Sequence, residues 1–293
     1  MSGPDLLFTL RNNFYLGAYQ AAIAEAADLE RLSEADSIER DCFVYRSYIE
    51  LGSYEPALNE VSQQSASALK AVKLLAEYQG NKGDKDTILS TVQDWAQEPS
   101  YRSNATVLLV IGLIYAAEDN YVEALRACHT GISLELRALA VQLYLKIDRI
   151  QQADEQVKAM SAADDDSTLT QLAAAWVNLY LGGAKVEEAF FIFQELGGKY
   201  NWTTRLLNGS AVCNMRMGRW EEAEQQLMEA FEKDAKSADT LANLVATCLH
   251  LGKATSRYNT QLKAVAPAHI LVQRNESAEE AFRNAASAFE VSA

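Results

Sequence analysis

An all-α fold made of stacked helical hairpins is predicted by three features of this 293-residue sequence. Hydrophobic residues make up 49% of it and charged residues 23%, which is typical of a folded chain. Proline and glycine number only 4 and 14, too few for the many tight turns of an all-β fold of this length. A short phrase also recurs along the chain at intervals of about 34 residues.

The recurring phrase has a helix-terminating residue, a bulky residue two positions later and an alanine three positions after that. Its bulky position falls on Tyr19, Tyr54, Tyr121, Ile150, Val186 and Trp220. Its alanine falls on Ala22, Ala57, Ala124, Ala153, Ala189 and Ala223. A repeat of this period and pattern is the signature of tetratricopeptide (TPR) repeats.

The physical chemistry of the phrase explains its residue types. A Gly, Asp or Asn takes the left-handed conformation that closes one helix. The bulky residue and the alanine, three apart, share a face of the next helix, so the bulky side chain fills the wedge and the alanine lets the two helices approach. Because one hairpin cannot bury its own apolar face, neighbouring hairpins must stack, and we predict a right-handed superhelical solenoid.

The elements follow from this pattern in order. We predict helical hairpins over residues 5–31, 38–64, 66–96, 104–132, 135–161, 168–196, 204–233 and 238–264. The third is the least regular, because its turn at 80–85 is long and lacks the bulky residue and alanine. The glycine pairs at 182–183 and 197–198 are interpreted as helix terminators.

The C-terminal end is predicted to be a capping helix. Pro267 ends the eighth hairpin and leaves a linker through Asn275. The sequence SAEE from Ser277 is a capping box, so a last helix is expected over 277–290. We therefore predict one domain, with the solenoid over residues 1–275 and the capping helix over 276–293.

Charge and hydropathy exclude several classes of partner. A net charge of −14 disfavours both nucleic acid and anionic lipid as direct ligands. The apolar run at 106–117 is too short to span a bilayer, and the N-terminal residues lack the basic region of a signal peptide. We expect a cytoplasmic protein without direct membrane insertion. Its four cysteines, with no CxxC pair, are expected to be reduced core thiols: Cys42, Cys128, Cys213 and Cys248.

No constellation of residues indicates catalysis, and we predict a protein that is not an enzyme. The loop at 80–85 lacks the spacing of a phosphate-binding loop, and the Asp run at 164–166 lacks the glycine and glutamate of a calcium-binding loop. The chain has only 3 histidines, and no serine or cysteine stands in a recognisable nucleophile motif. We accordingly assign no catalytic, cofactor-binding or metal-binding residue and expect no cofactor.

A helical solenoid offers instead a concave face lined by the first helix of each hairpin. Counting back from each turn predicts a mostly apolar partner-binding groove with scattered amides. Its residues are Arg11, Phe14, Arg46, Ile49, Leu109, Leu113, Gln142, Leu145, Gln171, Asn178, Asn208, Met215 and Leu249. For any one of these residues, packing against the next repeat is as much expected as contact with a partner. The slots where chaperone-binding TPR domains hold a C-terminal carboxylate carry Leu7, Cys42, Leu109 and Ala138, which disfavours such a clamp.

Longer stretches resemble one family, the epsilon subunit of coatomer, the COPI vesicle coat. They read LRNNFYLGAY at 10–19, ERDC at 39–42, RSYI at 46–49 and LGSY at 51–54. The second half carries TLTQLA at 168–173, AWVNL at 175–179, LNGSAVC at 207–213, DTLANL at 239–244 and HLGK at 250–253. These stretches follow the family's order over nearly the whole chain, whereas residues 62–102 match it less distinctly.

The resemblance implies a non-enzymatic coat subunit whose solenoid holds the C-terminal domain of the coatomer alpha subunit. It also implies indirect association with the other coatomer subunits and recruitment to Golgi membranes and COPI vesicles through the small GTPase ARF. The expected role is retrograde Golgi-to-ER and intra-Golgi transport. Two alternatives are weighed against it: a TPR adaptor or co-chaperone that reads a short peptide, and a helical hydrolase or transferase.

Overall fold

The computed structural model describes residues 5–290, and within that range every regular element is an α-helix. The first nine helices are α1 Phe8–Leu16, α2 Tyr19–Asp28, α3 Glu34–Glu50, α4 Glu55–Glu60, α5 Ser67–Gln79, α6 Lys85–Gln97, α7 Pro99–Arg102, α8 Ala105–Ala117 and α9 Tyr121–Cys128. The others are α10 Leu134–Lys146, α11 Ile150–Ala163, α12 Thr168–Leu181, α13 Lys185–Lys199, α14 Thr204–Arg216, α15 Trp220–Lys233, α16 Ala238–His250, α17 Ser256–Val265 and α18 Ile270–Glu290.

Two compact units divide the chain, Met1–Leu181 and Gly182–Ala293, which we call unit 1 and unit 2. Unit 1 contains α1 to α12 and unit 2 contains α13 to α18. The helices of all eight predicted hairpins are present, and the two helices of a pair are in contact in seven of them. The sixth pair, α12 and α13, is divided between the units. One continuous domain over the whole chain stays a prediction, and residues 1–4 and 291–293 of it lie outside the described range.

The alanine of the recurring phrase is the most buried position of the repeat. All six of these alanines are 0% exposed: Ala22, Ala57, Ala124, Ala153, Ala189 and Ala223. A methyl group is the largest side chain that such close contact allows without overpacking, which costs about 1–3 kcal/mol. Five of the six alanines belong to hairpins whose two helices are in contact, as the role predicted for the alanine requires.

The residues predicted to close the first helices do adopt the left-handed conformation. Gly17 has φ +85° and Gly218 has φ +77°, while Asp119 and Asp148 have φ +56° and +60°. At Gly17, the backbone N–H groups of Gly17 and Ala18 donate to carbonyls of the last turn of α1 at 3.0 and 2.8 Å. These bonds satisfy carbonyl groups that the end of a helix would otherwise leave unpaired.

The two glycine pairs behave differently. Gly182 and Gly183 have φ +75° and +57° and follow α12, as predicted for helix terminators. Gly197 and Gly198 lie inside α13, so the same prediction is wrong for them. A Cβ on Gly197 would lie 2.5 Å from the ring of Trp202. Gly197 is therefore a packing glycine, which allows that ring to approach the helix closely.

The third hairpin is irregular, as predicted. Helix α5 packs against α3 and α8, and its Val72 and Leu75 join Val110 and Ile114 of α8 in one core. Helix α6 contributes the buried Ile88 and Val92. The sequence did not predict the short helix α7 that follows, which begins with a proline, the residue best suited to a first helical turn.

The C-terminal helix differs from its prediction. Helix α18 begins at Ile270, so the linker after α17 ends well before Asn275, and the capping box at Ser277 lies inside the helix. The ring Nδ1 of His269 accepts the backbone N–H of Leu271 at 3.2 Å, which caps the first turn. Leu271 and Val272 then pack into the core of unit 2, and this burial favours the earlier start.

The four cysteines are free and buried, as expected for core thiols. Burial raises the pKa of Cys42 to about 12, with smaller contributions from neighbouring charges. Burial likewise raises the pKa of Cys128 and of Cys213 to about 12. Because the thiolate is the reactive form, these thiols are chemically inert in the folded chain.

Replacing Gly218 by alanine should lower stability by about 1–2 kcal/mol, because an L side chain is strained at positive φ. Nothing lies within 4 Å of the Cβ that would be added, so backbone strain is the only cost. The matched control is Gly198→Ala in helix α13, where the space for a Cβ is equally open. This control should raise stability by up to about 1 kcal/mol. Urea unfolding followed by circular dichroism measures both, and equal midpoints for the two variants would refute the assignment.

Candidate partner-binding site

The predicted groove residues divide into three classes of exposure. Those that are buried are Phe14, Arg46, Ile49, Leu109 and Asn208. Those that are half-buried are Arg11, Leu113, Leu145, Gln171, Asn178 and Met215. Gln142 and Leu249 are exposed, with Leu249 63% exposed. Ten of the thirteen lie in unit 1, and Asn208, Met215 and Leu249 lie in unit 2.

The inner side of unit 1 is crossed by a buried ion pair. Arg46 of α3 donates from Nη2 to Oε1 of Glu135 at 2.6 Å and from Nη1 to Oε2 at 3.2 Å. Glu135 belongs to the first turn of α10, 89 residues along the chain. The side chains of Arg46 and Glu135 are 10% and 19% exposed. Such a two-pronged pair fixes the relative position of the two helices as well as their charges.

Aromatic rings surround the Arg46 guanidinium. Its Cζ lies 4.5 Å from the ring centre of Phe14 and 5.1 Å from that of Phe43. The two rings meet edge to face at 5.2 Å. Burial acts to lower the pKa of Arg46, but the charge and hydrogen bonds of Glu135 outweigh it and leave the pKa raised. Burial, followed by the Glu135 charge, raises the pKa of neighbouring Tyr15 well above its ordinary value.

A second buried contact brings the first helix of unit 1 to the last. The hydroxyl of Thr168 in α12 donates to Oδ1 of Asn12 in α1 at 2.7 Å, across 156 residues of chain. Helix α1 packs against α12 over the same region. The first helices of unit 1 thus contact one another across its interior, and their own side chains fill the space where Phe14 and Arg46 were predicted to meet a partner.

The remaining groove residues of unit 1 lie beside these contacts. Arg11 is paired with Asp5 and Glu39, each at 2.7 Å. Ile49 and Leu109 belong to two buried cores, and Leu113 packs against both of them. Leu145 packs against the core of α10, α11 and α12. Leu113 and Leu145 therefore present apolar surface that is only partly covered by the chain itself.

In unit 2, the predicted amide is part of a hydrogen-bonded network. Asn208 donates to the hydroxyl of Thr240 at 2.7 Å and accepts from the amide of Asn243 at 3.0 Å, so α14 and α16 are joined. Met215 packs against the core of the same helices. Leu249, at the end of α16, is the groove residue that leaves most apolar surface uncovered in this unit.

The sequence did not predict which residues bond to these buried polar side chains. Glu135, Asn12 and Thr168 occupy ordinary positions on their helices, and a sequence period carries no signal that pairs residues 89 or 156 apart. The one signal available was Arg46 itself, a charged residue among the buried positions Cys42, Phe43 and Ile49 of α3. A charge on a buried helix face requires a counter-charge, but the sequence does not show which residue supplies it.

Other kinds of site find little support among the described residues. Between residues 5 and 290, no three or more His, Cys, Asp and Glu side chains form a group that could hold a metal ion. Within the same range, none of the helices has both the length and the apolar character that crossing a membrane requires. What the first helices offer is partly covered apolar surface with neighbouring amides.

Replacing Glu135 by alanine should lower the free energy of unfolding by about 3–5 kcal/mol, because it strands the buried Arg46 charge. The double variant Arg46→Met/Glu135→Leu should recover most of that loss, since it removes both charges. The control Glu123→Ala breaks the exposed pair with Arg126 and should cost less than about 0.5 kcal/mol. Denaturant unfolding of the four proteins forms the comparison, and a Glu135 variant as stable as the Glu123 variant would contradict this account.

Comparison with solved structures identifies the fold. A tetratricopeptide repeat protein from Parabacteroides merdae superposes with a TM-score of 0.59 at 14% identity, over 82% of this chain and 96% of that one. A thermophilic TPR protein of Thermus thermophilus gives a TM-score of 0.54 at 15% identity, over 60% of this chain and 98% of that one. The predicted TPR-type helical solenoid is thereby confirmed.

Comparison with known sequences identifies the family. The family model described as coatomer epsilon subunit matches residues 3–290. Coatomer subunit epsilon-1 of Arabidopsis thaliana is 48% identical over 289 residues, 99% of each chain. Coatomer subunit epsilon of Dictyostelium discoideum is 34% identical over 296 residues, covering 97% of this chain and 99% of its own. The chain therefore belongs to the coatomer epsilon-subunit family, the non-enzymatic structural component of the COPI coat that its ordered sequence stretches resemble.

Proposed function

We propose that this coat subunit binds and stabilises the C-terminal domain of the coatomer alpha subunit by burying apolar surface. The observation that carries the proposal is the partly covered apolar surface of the first helices. Leu113, Leu145 and Met215 are half-buried against their own cores, and Leu249 is 63% exposed. Further burial of such side chains contributes about 25 cal/mol for each Å² removed from water.

The internal contacts of each unit narrow the set of residues that would meet the partner. Phe14, Arg46, Ile49, Leu109 and Asn208 are covered by the chain itself and position the surface. The contacting set is then Arg11, Leu113, Gln142, Leu145, Gln171, Asn178, Met215 and Leu249. A permanent subunit interface buries on the order of 2,000 Å² or more, so the partner must extend well beyond these side chains.

The place of the complex in the cell follows from the same proposal. We expect the subunit on the cytoplasmic face of Golgi membranes and on COPI vesicles, where ARF recruits the whole coatomer. Its other coat partners are then indirect, and its role lies in retrograde Golgi-to-ER and intra-Golgi transport. A net charge of −14 supports recruitment through partners, because an acidic chain gains little from anionic lipid.

A pull-down from cytosol, washed at about 1 M salt, tests the proposal and its main alternative. The Debye length falls to about 3 Å at that salt concentration, so exposed ion pairs are screened while apolar burial persists. Recovery of the alpha subunit through the wash supports the proposal. Recovery of chaperones alone, or of the alpha subunit only at low salt, would indicate a TPR adaptor that reads charged peptides instead.

Replacing Leu249 by glutamate should reduce the stabilisation that the alpha-subunit domain confers. A partner at about 100 times its Kd stabilises a folded chain by about 2.7 kcal/mol, so it raises the Tm of the wild-type chain. The matched control is Val122→Glu, since Val122 is also 63% exposed but lies on a second helix, α9. Melting curves with and without the alpha domain compare the three proteins. Equal Tm increases in the Leu249 and Val122 variants would show that Leu249 does not contact the alpha-subunit domain.

A further inference from the structure

The first turn of the last helix of unit 2 packs into the apolar core of that unit. Leu271 and Val272 of α18 join Leu241 and Leu262 in the terminal core. From Gln273 to Ala285 every side chain is exposed. The helix therefore covers the end of unit 2 with its first turn, and the side chains of the next three to four turns, through Ala285, are exposed.

The exposed turns carry an apolar face. Phe282 is 75% exposed, and Ala278 and Ala285 lie four residues before it and three after it, on the same side of the helix. The opposite side is polar, with Glu280 and Asn284. A groove of about 710 Å³ runs between α17 and α18, and Val272, Ala278 and Phe282 contribute to its lining. A terminal repeat that served only as a solubilising cap would be polar on its outer side.

Two pairs of charges beside this face are formed within the chain. Lys263 of α17 lies 2.5 Å from Glu276, and Arg283 lies 3.3 Å from Glu279. The hydrogen bond and charge of Glu276 raise the pKa of Lys263. Arg274, four residues before Ala278, is exposed and forms no ion pair among the described residues, so a partner would meet one uncompensated positive charge at the beginning of this face. The rest of the face is recognised by apolar burial.

The backbone hydrogen bonds of a segment bound on this face, the occupant, limit the conformation that it can adopt. The helix face offers side chains only, because the backbone groups of α18 are bonded within the helix. An extended segment on a dry face would leave its own N–H and C=O groups unpaired, at about 1–3 kcal/mol each. A helix satisfies these groups internally, and small residues such as Ala278 and Ala285 allow helix axes to approach to about 8–10 Å.

The size of the face argues against a second copy of this chain held through α18 alone. The helix from Gln273 to Glu290 spans about 27 Å and is about 10 Å wide, so two such helices would bury on the order of 540 Å². Stable association needs about 1,200 Å² or more in total. The occupant must therefore be held by additional contacts elsewhere, as a subunit bound along the solenoid would be.

We propose that the Phe282 face of α18 docks an amphipathic helix of the partner subunit, which packs beside α18 as one more helix of the stack. This inference rests on the proposed function, because the partner is the one that the first helices bind. It assigns to the C-terminal helix a binding role in place of a purely capping one. The partner helix is expected to present an apolar face, with an acidic side chain toward Arg274.

The test measures, by calorimetry, the affinity of the full chain for the purified C-terminal domain of the alpha subunit. Phe282→Glu should raise the Kd by about tenfold to a hundredfold, since burying a Phe side chain contributes about 1.5–3 kcal/mol. The substituted side chain is exposed, so melting of the free variant should match that of the wild type. The matched control Asn284→Glu adds the same charge to the polar side of the same turn and should leave the Kd unchanged.

The outcomes separate the two proposals. An unchanged Kd for Phe282→Glu, or an equal loss in both variants, overturns the docking proposal while the proposed function stands. A wild-type chain that does not bind the alpha domain rejects the proposed function itself. Sedimentation of the free chain detects a dimer sensitive to Phe282→Glu, and flotation with anionic vesicles detects lipid binding. Either result, with partner affinity unaffected, would assign the face to a second copy or to a membrane and overturn the proposal.

Discussion

The close contact between the two helices of a hairpin is the constraint on which the rest of this structure depends. In five of the hairpins whose helices are in contact, the repeat provides an alanine with no exposed surface. Any larger side chain would push the helices apart, and a glycine would weaken the helix that must supply the contact. Because the hairpins are held at one spacing, their outer faces form a regular surface on which the next hairpin can stack.

Stacking alone does not explain unit 1, where helices distant in sequence are joined through buried polar groups. The Arg46–Glu135 pair and the Asn12–Thr168 hydrogen bond connect α3 to α10 and α1 to α12. Buried ion pairs contribute little net stability compared with apolar residues of the same shape, but a broken pair is costly. Both contacts require the helices they join to lie within hydrogen-bond distance of one another. The surface proposed to meet the partner then consists of residues that the chain covers only in part, such as Leu113 and Leu145.

Unit 2 ends differently. Its amide network around Asn208 and its apolar cores continue regularly as far as α17, and then α18 contributes one buried turn and a long exposed helix. A terminal repeat that exposes an aromatic side chain resembles a single hairpin, because each leaves apolar surface in contact with water. The proposed docking of a partner helix on α18 would use the same apolar burial that stacks the repeats.

Local features of the sequence were sufficient for the elements: the period, the left-handed turn residues and the alanines correctly predicted the helices of the eight hairpins, seven of them with their two helices in contact, and the TPR fold. These features are local, since each depends on side chains three or four residues apart on one helix. Only the tertiary structure decided which groove residues are covered, that Arg46 finds Glu135, and that α18 begins at Ile270 and not at Ser277. Contacts between residues 89 or 156 apart produce no periodic pattern in the sequence. Helix α18 begins early because Leu271 and Val272 are buried in a core formed with distant residues.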